Sequence, residues 1–393
     1  MWQKTKNLYH LGIAIFSNIW LNFPSRKLTI VGVTGTDGKT TTTSLIYHIL
    51  NSAGFNASMV TSVGAMIGGK NYDVGFHVTT PSSFAVQKFI KKAIGAGSKY
   101  LVLETTSHAL DQYRVFGIKY EIGVLTNVTH EHLDYHKTYE NYVKTKAKLL
   151  EMSKMAIANK DDESYDLLEL KSKSLNSKLV SYGMGKNADV NPVNFPFKTN
   201  MIGEFNKYNV LAAISACQAL GVPAKDIRKG ILTFEPPKGR EDIIYKKNFT
   251  VMIDFAHTPN AIDQILKAVR PAVKGRIIHV FGSAGARDVT KRPLMGKMSS
   301  KYADVIILTS EDPRKEPVEK IMEEIESGIT KKVKVLKISD RKKAIREAIM
   351  MAKKGDFVVM TGKSHEKSMN YGQGEVEWDE YKVAKDALKA LEL

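Results

Sequence analysis

Chemistry in this chain concentrates first in the run Val31-Gly32-Val33-Thr34-Gly35-Thr36-Asp37-Gly38-Lys39-Thr40-Thr41-Thr42. Glycines at 35 and 38 let backbone N–H groups turn inward around an anion, and a helix starting at their end adds partial positive charge. Lys39 would then reach the outer phosphates, and the Thr40 hydroxyl would ligate Mg²⁺. The run is narrower than the generic phosphate loop, whose first glycine would fall at position 33, a valine here. Gly35, Thr36, Asp37, Gly38, Lys39, Thr40 and Thr41 are therefore expected to hold a nucleoside triphosphate.

Two further clusters follow expected strands. One is Glu104-Thr105-Thr106-Ser107-His108, and the other runs from Asn127 through His130, Glu131, His132 and Asp134 to His136. Ligands of an open parallel sheet gather at the carboxyl ends of its strands, so Glu104, His108, His130, His132, Asp134 and His136 should crowd near the phosphate loop. Glu and His, together with Thr40 and phosphate oxygens, suit Mg²⁺ or Mn²⁺. Any one of the histidines, taken alone, reads as a structural or surface residue.

The elements that must position these groups alternate between strand and helix. Leu28–Val33, Tyr100–Leu103 and Ile122–Thr126 read as buried parallel strands, with Ser83–Ile94 helical between the first two. Met155–Asn159 and Leu179–Tyr182 continue the series, and the polar stretch from Asp161 to Ser177 reads as a surface helix. Two prolines and a glycine in Phe234-Glu235-Pro236-Pro237-Lys238-Gly239-Arg240 mark a linker. Beyond it, Phe249–Asp254, Arg276–Phe281, Val305–Thr309 and Phe357–Thr361 read as strands, with Pro259–Val269 helical. The fold class is thus α/β: a helical extension at 1–27, a central nucleotide-binding domain of P-loop ATPase type at 28–238, and a smaller Rossmann-like domain at 239–393. The central domain should carry a mostly parallel sheet with helices on both faces.

The chain has 393 residues and 58 basic against 41 acidic side chains, a net charge of +17. That balance favours anionic ligands. No zinc-finger spacing, aromatic RNA-binding motif or basic-region helix accompanies it, so no specific nucleic-acid partner is expected. The single cysteine, Cys217, excludes an internal disulfide framework, suits a reducing cytoplasm and lies in an apolar helical pattern. The apolar segment 8–23 is too short and interrupted to span a bilayer and lacks a cleavage site. Docking on the protein's own surface and shallow contact with a membrane both remain open for it.

Seven motifs together resemble Mur ligases of the MurE type, in order along nearly the whole chain. They are G-T-D-G-K-T at 35–40, Thr79-Thr80-Pro81, E-T-T-S-H-A-L at 104–110, H-L-D-Y-H at 132–136, Asp254-Phe255-Ala256-His257-Thr258-Pro259, K-R-P-L-M-G at 291–296 and Gly362-Lys363-Ser364-His365-Glu366. Such enzymes join an amino acid to a UDP-N-acetylmuramoyl-peptide with ATP. The resemblance implies Lys39 and Thr40 on phosphates and Mg²⁺, and Glu104 and His132 on metal, with two Mg²⁺ sites allowed. Lys146 would match the family's carbamylated lysine, which turns a cation into an oxygen-bearing metal ligand, though Lys144 and Lys148 are close rivals. Asn209 would contact adenine, and Arg240, Asp254 and His257 would contact ATP. Thr79, Thr80, Ser107, His108 and Arg114 would touch the acceptor, while Arg287, Asp312, Arg314 and Glu366 would recognise the incoming amino acid.

The implied mechanism is phosphorylation of a carboxylate to an acyl phosphate, attack by an amine, and collapse to an amide, by an enzyme expected to act as a monomer. Exclusion of water would require closure about the linker. Three departures from the family stand out. Residues 1–27 leave no room for its UDP-gripping domain, and 188–203 reads as abbreviated. The amino-acid-selecting motif, usually Asp-Asn-Pro-Arg, is here Glu311-Asp312-Pro313-Arg314. Arg314 can clamp a carboxylate, which favours diaminopimelate, whereas Asp312 would welcome an amine such as that of lysine. A same-fold ligase with a folylpolyglutamate, poly-γ-glutamate or lipid-linked muropeptide acceptor is the alternative reading.

Overall fold

A computed structural model describes residues 2–75, 79–129, 131–172 and 178–391. The chain divides into two compact units, the first formed by Met1–Thr129, His136–Asn200 and Phe205–Pro236. The second comprises Pro237–Leu393 with the short excursions His130–Tyr135 and Met201–Glu204.

The first unit is built on eight strands: β1 (Thr29–Thr34), β2 (Ala57–Val60), β3 (Ala65–Ile67), β4 (Lys70–Tyr72), β5 (Tyr100–Glu104), β6 (Tyr120–Leu125), β7 (Ser153–Asn159) and β8 (Lys178–Tyr182). They lie in the order β4-β3-β2-β5-β1-β6-β7-β8. All neighbouring pairs are parallel except β2–β3 and β3–β4. β1 is buried along nearly its whole length, as its run of Ile30, Val31 and Val33 requires of a central parallel strand. Its register sets Val33 opposite Glu104 on one side and Val124 on the other, so the loops after β1, β5 and β6 leave the same edge.

Helices of this unit are α1 (Trp2–Trp20), α2 (Lys39–Ser52), α3 (Ser83–Gly95), α4 (Ser107–Asp111), α6 (Tyr139–Glu151), α7 (Tyr165–Ser172), α8 (Glu204–Ala219) and α9 (Ala224–Thr233), while α5 (Leu133–His136) falls mostly in the second. α6 starts where the Thr138 hydroxyl accepts from Asn141 N–H, a side-chain N-cap. Cys217 is fully buried in α8, where desolvation raises its thiol pKa. The helix expected over 161–177 is present as α7; residues 173–177 of that stretch lie outside the described residues.

The second unit holds β9 (Asp242–Lys246), β10 (Thr250–Ile253), β11 (Ile277–Phe281), β12 (Val305–Leu308), β13 (Lys334–Lys337) and β14 (Phe357–Met360). Their order is β13-β12-β11-β14-β10-β9, parallel except for the edge strand β9. Ile253 and Val280 both pair with Met360, and Phe281 pairs with Leu308. The segments that follow, beginning at Asp254, Gly282, Thr309 and Thr361, therefore emerge together. Both sheets thus realise the doubly wound α/β class expected from the alternation of elements.

Candidate active site

The phosphate loop is shaped by close backbone approach. Gly35 and Gly38 have φ of 153° and 80°, and a Cβ would overlap Thr126 Oγ1 at the first and Asn209 Oδ1 at the second. Residues after β6 clamp the loop: Asp37 N–H donates to Asn127 Oδ1 at 2.9 Å, and Thr126 Oγ1 donates to the Asp37 carbonyl at 2.7 Å. Thr129 N–H donates to Thr36 Oγ1 at 3.0 Å. Lys39 folds back on its own loop, with Nζ 2.8 Å from the Thr36 carbonyl. Asn209 lies against Gly38 of the loop; it accepts from Thr42 and donates to Asn206.

Beside the loop, Thr40 Oγ1 donates to Glu104 Oε2 at 3.0 Å and lies 3.1 Å from Ser62 Oγ. Ser62 N–H also donates to Glu104 Oε2, at 3.1 Å. This buried cluster of carboxylate and hydroxyl oxygens is the hard donor type that Mg²⁺ prefers. Among the described residues, no group of three or more His, Cys, Asp or Glu side chains gathers at metal-binding distance.

Lys146 is 1% exposed, and its Nζ donates to the Gly35 carbonyl at 2.5 Å and lies 4.4 Å from the Tyr142 ring centre. Its rivals face elsewhere: Lys144 is exposed, and Lys148 lies 3.5 Å from Asp111. The fold thus sets Lys146, the lysine matched by the resemblance, apart from its two close rivals.

The expected acceptor residues lie close to this cluster. Thr80 Oγ1 donates to the Glu104 carbonyl, and Arg114 Nη1 donates to the Thr80 carbonyl, each at 3.1 Å. Ser107 Oγ is 3.0 Å from His136 Nε2, and the His136 ring stacks on Tyr142 and meets the edge of His108. Burial, with His108 and Lys146 nearby, pulls the His136 pKa down to about 4, so it is neutral at pH 7. Thr79 is half-buried one residue before Thr80.

His132 belongs with the second unit, where its Nδ1 lies 3.7 Å from Glu131 Oε1. Glu131 is tied to Lys291 at 3.1 Å, and Lys291 Nζ also donates to the His257 carbonyl. His130 lies outside the described residues. Arg240 places its guanidinium 4.5 Å from the Phe255 ring centre. Asp254 accepts from the Glu241 and Ala256 N–H groups, and burial raises its pKa against the opposing pull of Arg240.

The segments after β11, β12 and β14 bring the remaining candidates together. Arg314 has φ of 54° and donates to the Gly285 carbonyl at 2.5 Å. Desolvation and the nearby Arg287 charge lower its pKa, so two guanidinium groups share one neighbourhood. Asp312 departs from the expectation that it would await an amine. Both its oxygens accept from the fully buried Lys363 Nζ, at 2.9 and 3.0 Å, and one also accepts from Asn370 N–H. Lys363 Nζ also donates to Glu366 at 2.6 Å. The neighbouring Glu311 is buried with Oε2 unbonded, and desolvation pushes its pKa up to about 8.

Sequence reasoning passed over Asn127, Thr126, Tyr142 and Ser62, which shape the loop and the oxygen cluster, and gave Lys363 no role beyond its motif. A polar Thr-Asn pair directly after a buried strand was the available signal for the first two.

Similarity to known proteins bears on the same residues. Residues 33–217 match the Mur ligase middle domain, and 239–364 match the Mur ligase, glutamate ligase domain. The chain belongs to the Mur ligase family. It is 42% identical over 363 residues to the UDP-N-acetylmuramoyl-L-alanyl-D-glutamate–2,6-diaminopimelate ligase of Aquifex aeolicus, covering 87% of this chain and 74% of that protein. The ligase of the same name from Geobacillus kaustophilus is 35% identical, over 96% of this chain and 82% of its own length. A solved structure of a ligase of that name superposes with TM-score 0.61 at 30% identity, over 93% of this chain and 79% of that one. The folylpolyglutamate synthase/dihydrofolate synthase of Yersinia pestis superposes with TM-score 0.74 at 16% identity, over 98% and 93%, a likeness of fold alone. As a Mur ligase the protein forms carbon–nitrogen bonds with ATP, and its middle-domain match carries the phosphate loop, Glu104 and Lys146.

Proposed function

We propose that this Mur ligase joins 2,6-diaminopimelate to UDP-N-acetylmuramoyl-L-alanyl-D-glutamate, a step of peptidoglycan precursor synthesis, and acts as a monomer. The observation that carries the choice of amino acid is the pairing of Asp312 with Lys363 beside Arg287 and Arg314. With Asp312 paired to Lys363, the guanidinium groups of Arg287 and Arg314 could meet the extra carboxylate that diaminopimelate has and lysine lacks. The identity to diaminopimelate ligases supports the same reading.

In this proposal the acceptor carboxylate attacks the γ-phosphorus, ADP departs, and an acyl phosphate forms. The amine nitrogen then attacks the acyl carbon, loses a proton, and phosphate leaves. Lys39 moves from the Thr36 carbonyl to the outer phosphates and offsets their charge. Arg240, Asp254 and His257 hold the nucleotide, while Thr79, Thr80, Ser107, His108 and Arg114 orient the acceptor. Asn209 packs against Gly38 of the loop, in addition to the adenine contact implied by the family. Thr40, Glu104 and His132 would hold Mg²⁺, which neutralises charge on the transferring group when bound. Lys146 is proposed to be carbamylated and to support a second Mg²⁺, its amine adding carbon dioxide and releasing a proton. Labelled bicarbonate would then give a carbamate carbon signal by NMR that the Lys146→Ala variant lacks.

The deciding experiment supplies ATP, Mg²⁺ and UDP-N-acetylmuramoyl-L-alanyl-D-glutamate with diaminopimelate or lysine, and reads product mass. Addition of diaminopimelate and not lysine is expected. Lysine addition would overturn the assignment from Asp312, and no product with either would favour a lipid-linked or polyglutamate acceptor.

A further inference from the structure

Helix α1 is amphipathic in the inverted sense. Its inaccessible side chains are small or polar: Ala14, Ser17 and Asn18 are all but buried. Asn18 donates to the Phe116 carbonyl at 2.9 Å and accepts from Gln87 Nε2 at 3.1 Å, and Asn7 donates to Asp111 at 2.9 Å. The outward face carries Leu8, Tyr9, Ile15, Phe16, Ile19 and Trp20, from 41% exposed at Ile15 to 68% at Leu8 and Trp20. Leu8, Ile15 and Ile19, and beside them Tyr9, Phe16 and Trp20, follow helical spacing, so the apolar residues form one stripe. The Phe16 and Trp20 rings stack at 5.7 Å within it. A helix facing only water would turn that stripe inward.

The charges flanking the stripe in the chain are basic, and Asp111, the carboxylate that meets α1 through Asn7, lies 3.5 Å from Lys148. Among the first 103 residues only Asp37 and Asp73 are acidic. Lys6 precedes the stripe, Arg26 and Lys27 follow it, and α3, packed against α1, exposes Lys88, Lys91 and Lys92. No helix among the described residues is long and apolar enough to cross a membrane.

We propose that α1 lies in the plane of an anionic lipid surface. The stripe enters the boundary between headgroups and acyl chains, Tyr9 and Trp20 sit at headgroup level, and the flanking cations meet lipid phosphates. A second copy of this chain is a poorer occupant, because it would set one lysine-rich rim against another. A protein interface core is also generally depleted of lysine, whereas an anionic leaflet attracts it.

The test sediments the full chain with vesicles of equimolar phosphatidylglycerol and phosphatidylcholine, and with phosphatidylcholine alone. Expected are binding to the anionic vesicles, weakening with salt, and a shift of tryptophan emission to shorter wavelength that Trp20→Phe diminishes. The double variant Phe16→Ser/Ile19→Ser should bind at least ~10-fold more weakly, since interfacial binding scales with buried apolar area. Its thermal midpoint should stay near that of the parent, because both side chains face outward. No vesicle binding, equal binding of the double variant, or equal binding to neutral vesicles would overturn the proposal. So would a lipid-free dimer that the double variant abolishes, which would make this face a contact between copies.

Discussion

Two lysines are buried to the same degree in the two units, and their surroundings differ. Lys363 is 0% exposed and meets Asp312 and Glu366, so its charge is spent inside the protein. Lys146 is 1% exposed and meets the Gly35 carbonyl and the Tyr142 ring, on the floor of the phosphate loop. A buried ammonium set between carboxylates is held by strong Coulomb attraction and serves architecture. Lys146 has a backbone carbonyl and an aromatic face among its partners and lies against the phosphate loop, where ligand phosphates are expected. Burial of a charge therefore does not by itself mark a reacting group. The partners decide.

The sharpest way to break this contrast is to remove each ammonium in turn. Lys146→Ala should lower ligation by ~10³-fold or more, about 4 kcal/mol in the barrier, while the thermal midpoint moves little. Steady-state turnover and calorimetry on one preparation would separate the two effects. Lys363→Met should behave the opposite way, losing about 3–5 kcal/mol of stability in denaturant titrations because two carboxylates lose their counter-charge. If both variants fold normally and both fail only in catalysis, the contrast is void.

Smaller changes sharpen it. Asp312→Asn leaves Lys363 paired with Glu366 alone and should cost about 1–3 kcal/mol of stability without switching the preference from diaminopimelate to lysine. Selection that moves toward diaminopimelate in competition assays would mean that Asp312 meets the substrate after all. Gly38→Ala puts a Cβ against Asn209 at a φ of 80°, and should weaken nucleotide binding, measured by calorimetric titration, with a backbone cost of about 1–3 kcal/mol.

The contrast extends to pH dependence, whose sign differs between the units. Burial lowers His136 from 6.5 to about 4, so its folded state resists protonation and stability declines as pH falls through that window. Burial raises Glu311 from 4.5 to about 8, so the folded state keeps its proton longer than the unfolded chain does. Stability then declines as pH rises from 4.5 to 8. Glu311→Gln should flatten the alkaline-side decline in unfolding midpoints measured across pH, and His136→Asn the acid-side one.

Much of the fold was legible because its signals are local. The helix expected over Pro259–Val269 has those bounds in the structure, and the central strands fall within a residue or two of their apolar runs. β2, β3, β4, β9 and β13 were passed over. They are short, and β4, β9 and β13 expose much of their surface, so their burial gives no continuous apolar run. The loop from Gly35 to Thr41 was legible for a related reason: its function rests on consecutive backbone groups. Thr126 and Asn127 were not, because the close approach that makes them clamps joins strands separated by about ninety residues in the chain.

Composition and spacing were enough to establish a nucleotide-binding α/β chain, and the resemblance of its ordered motifs to a known family added Arg314 as a candidate carboxylate clamp. Each of those rests on residues adjacent in the chain or on a periodicity that one element carries by itself. Tertiary structure alone showed that Lys146, the resemblance's choice over Lys144 and Lys148, is the one against the phosphate loop, that Asp312 is paired with Lys363, and that α1 turns its apolar side outward. The physical reason is the same in all three. A helix offers several faces and a carboxylate several partners, and which one is used depends on what long-range packing brings beside it.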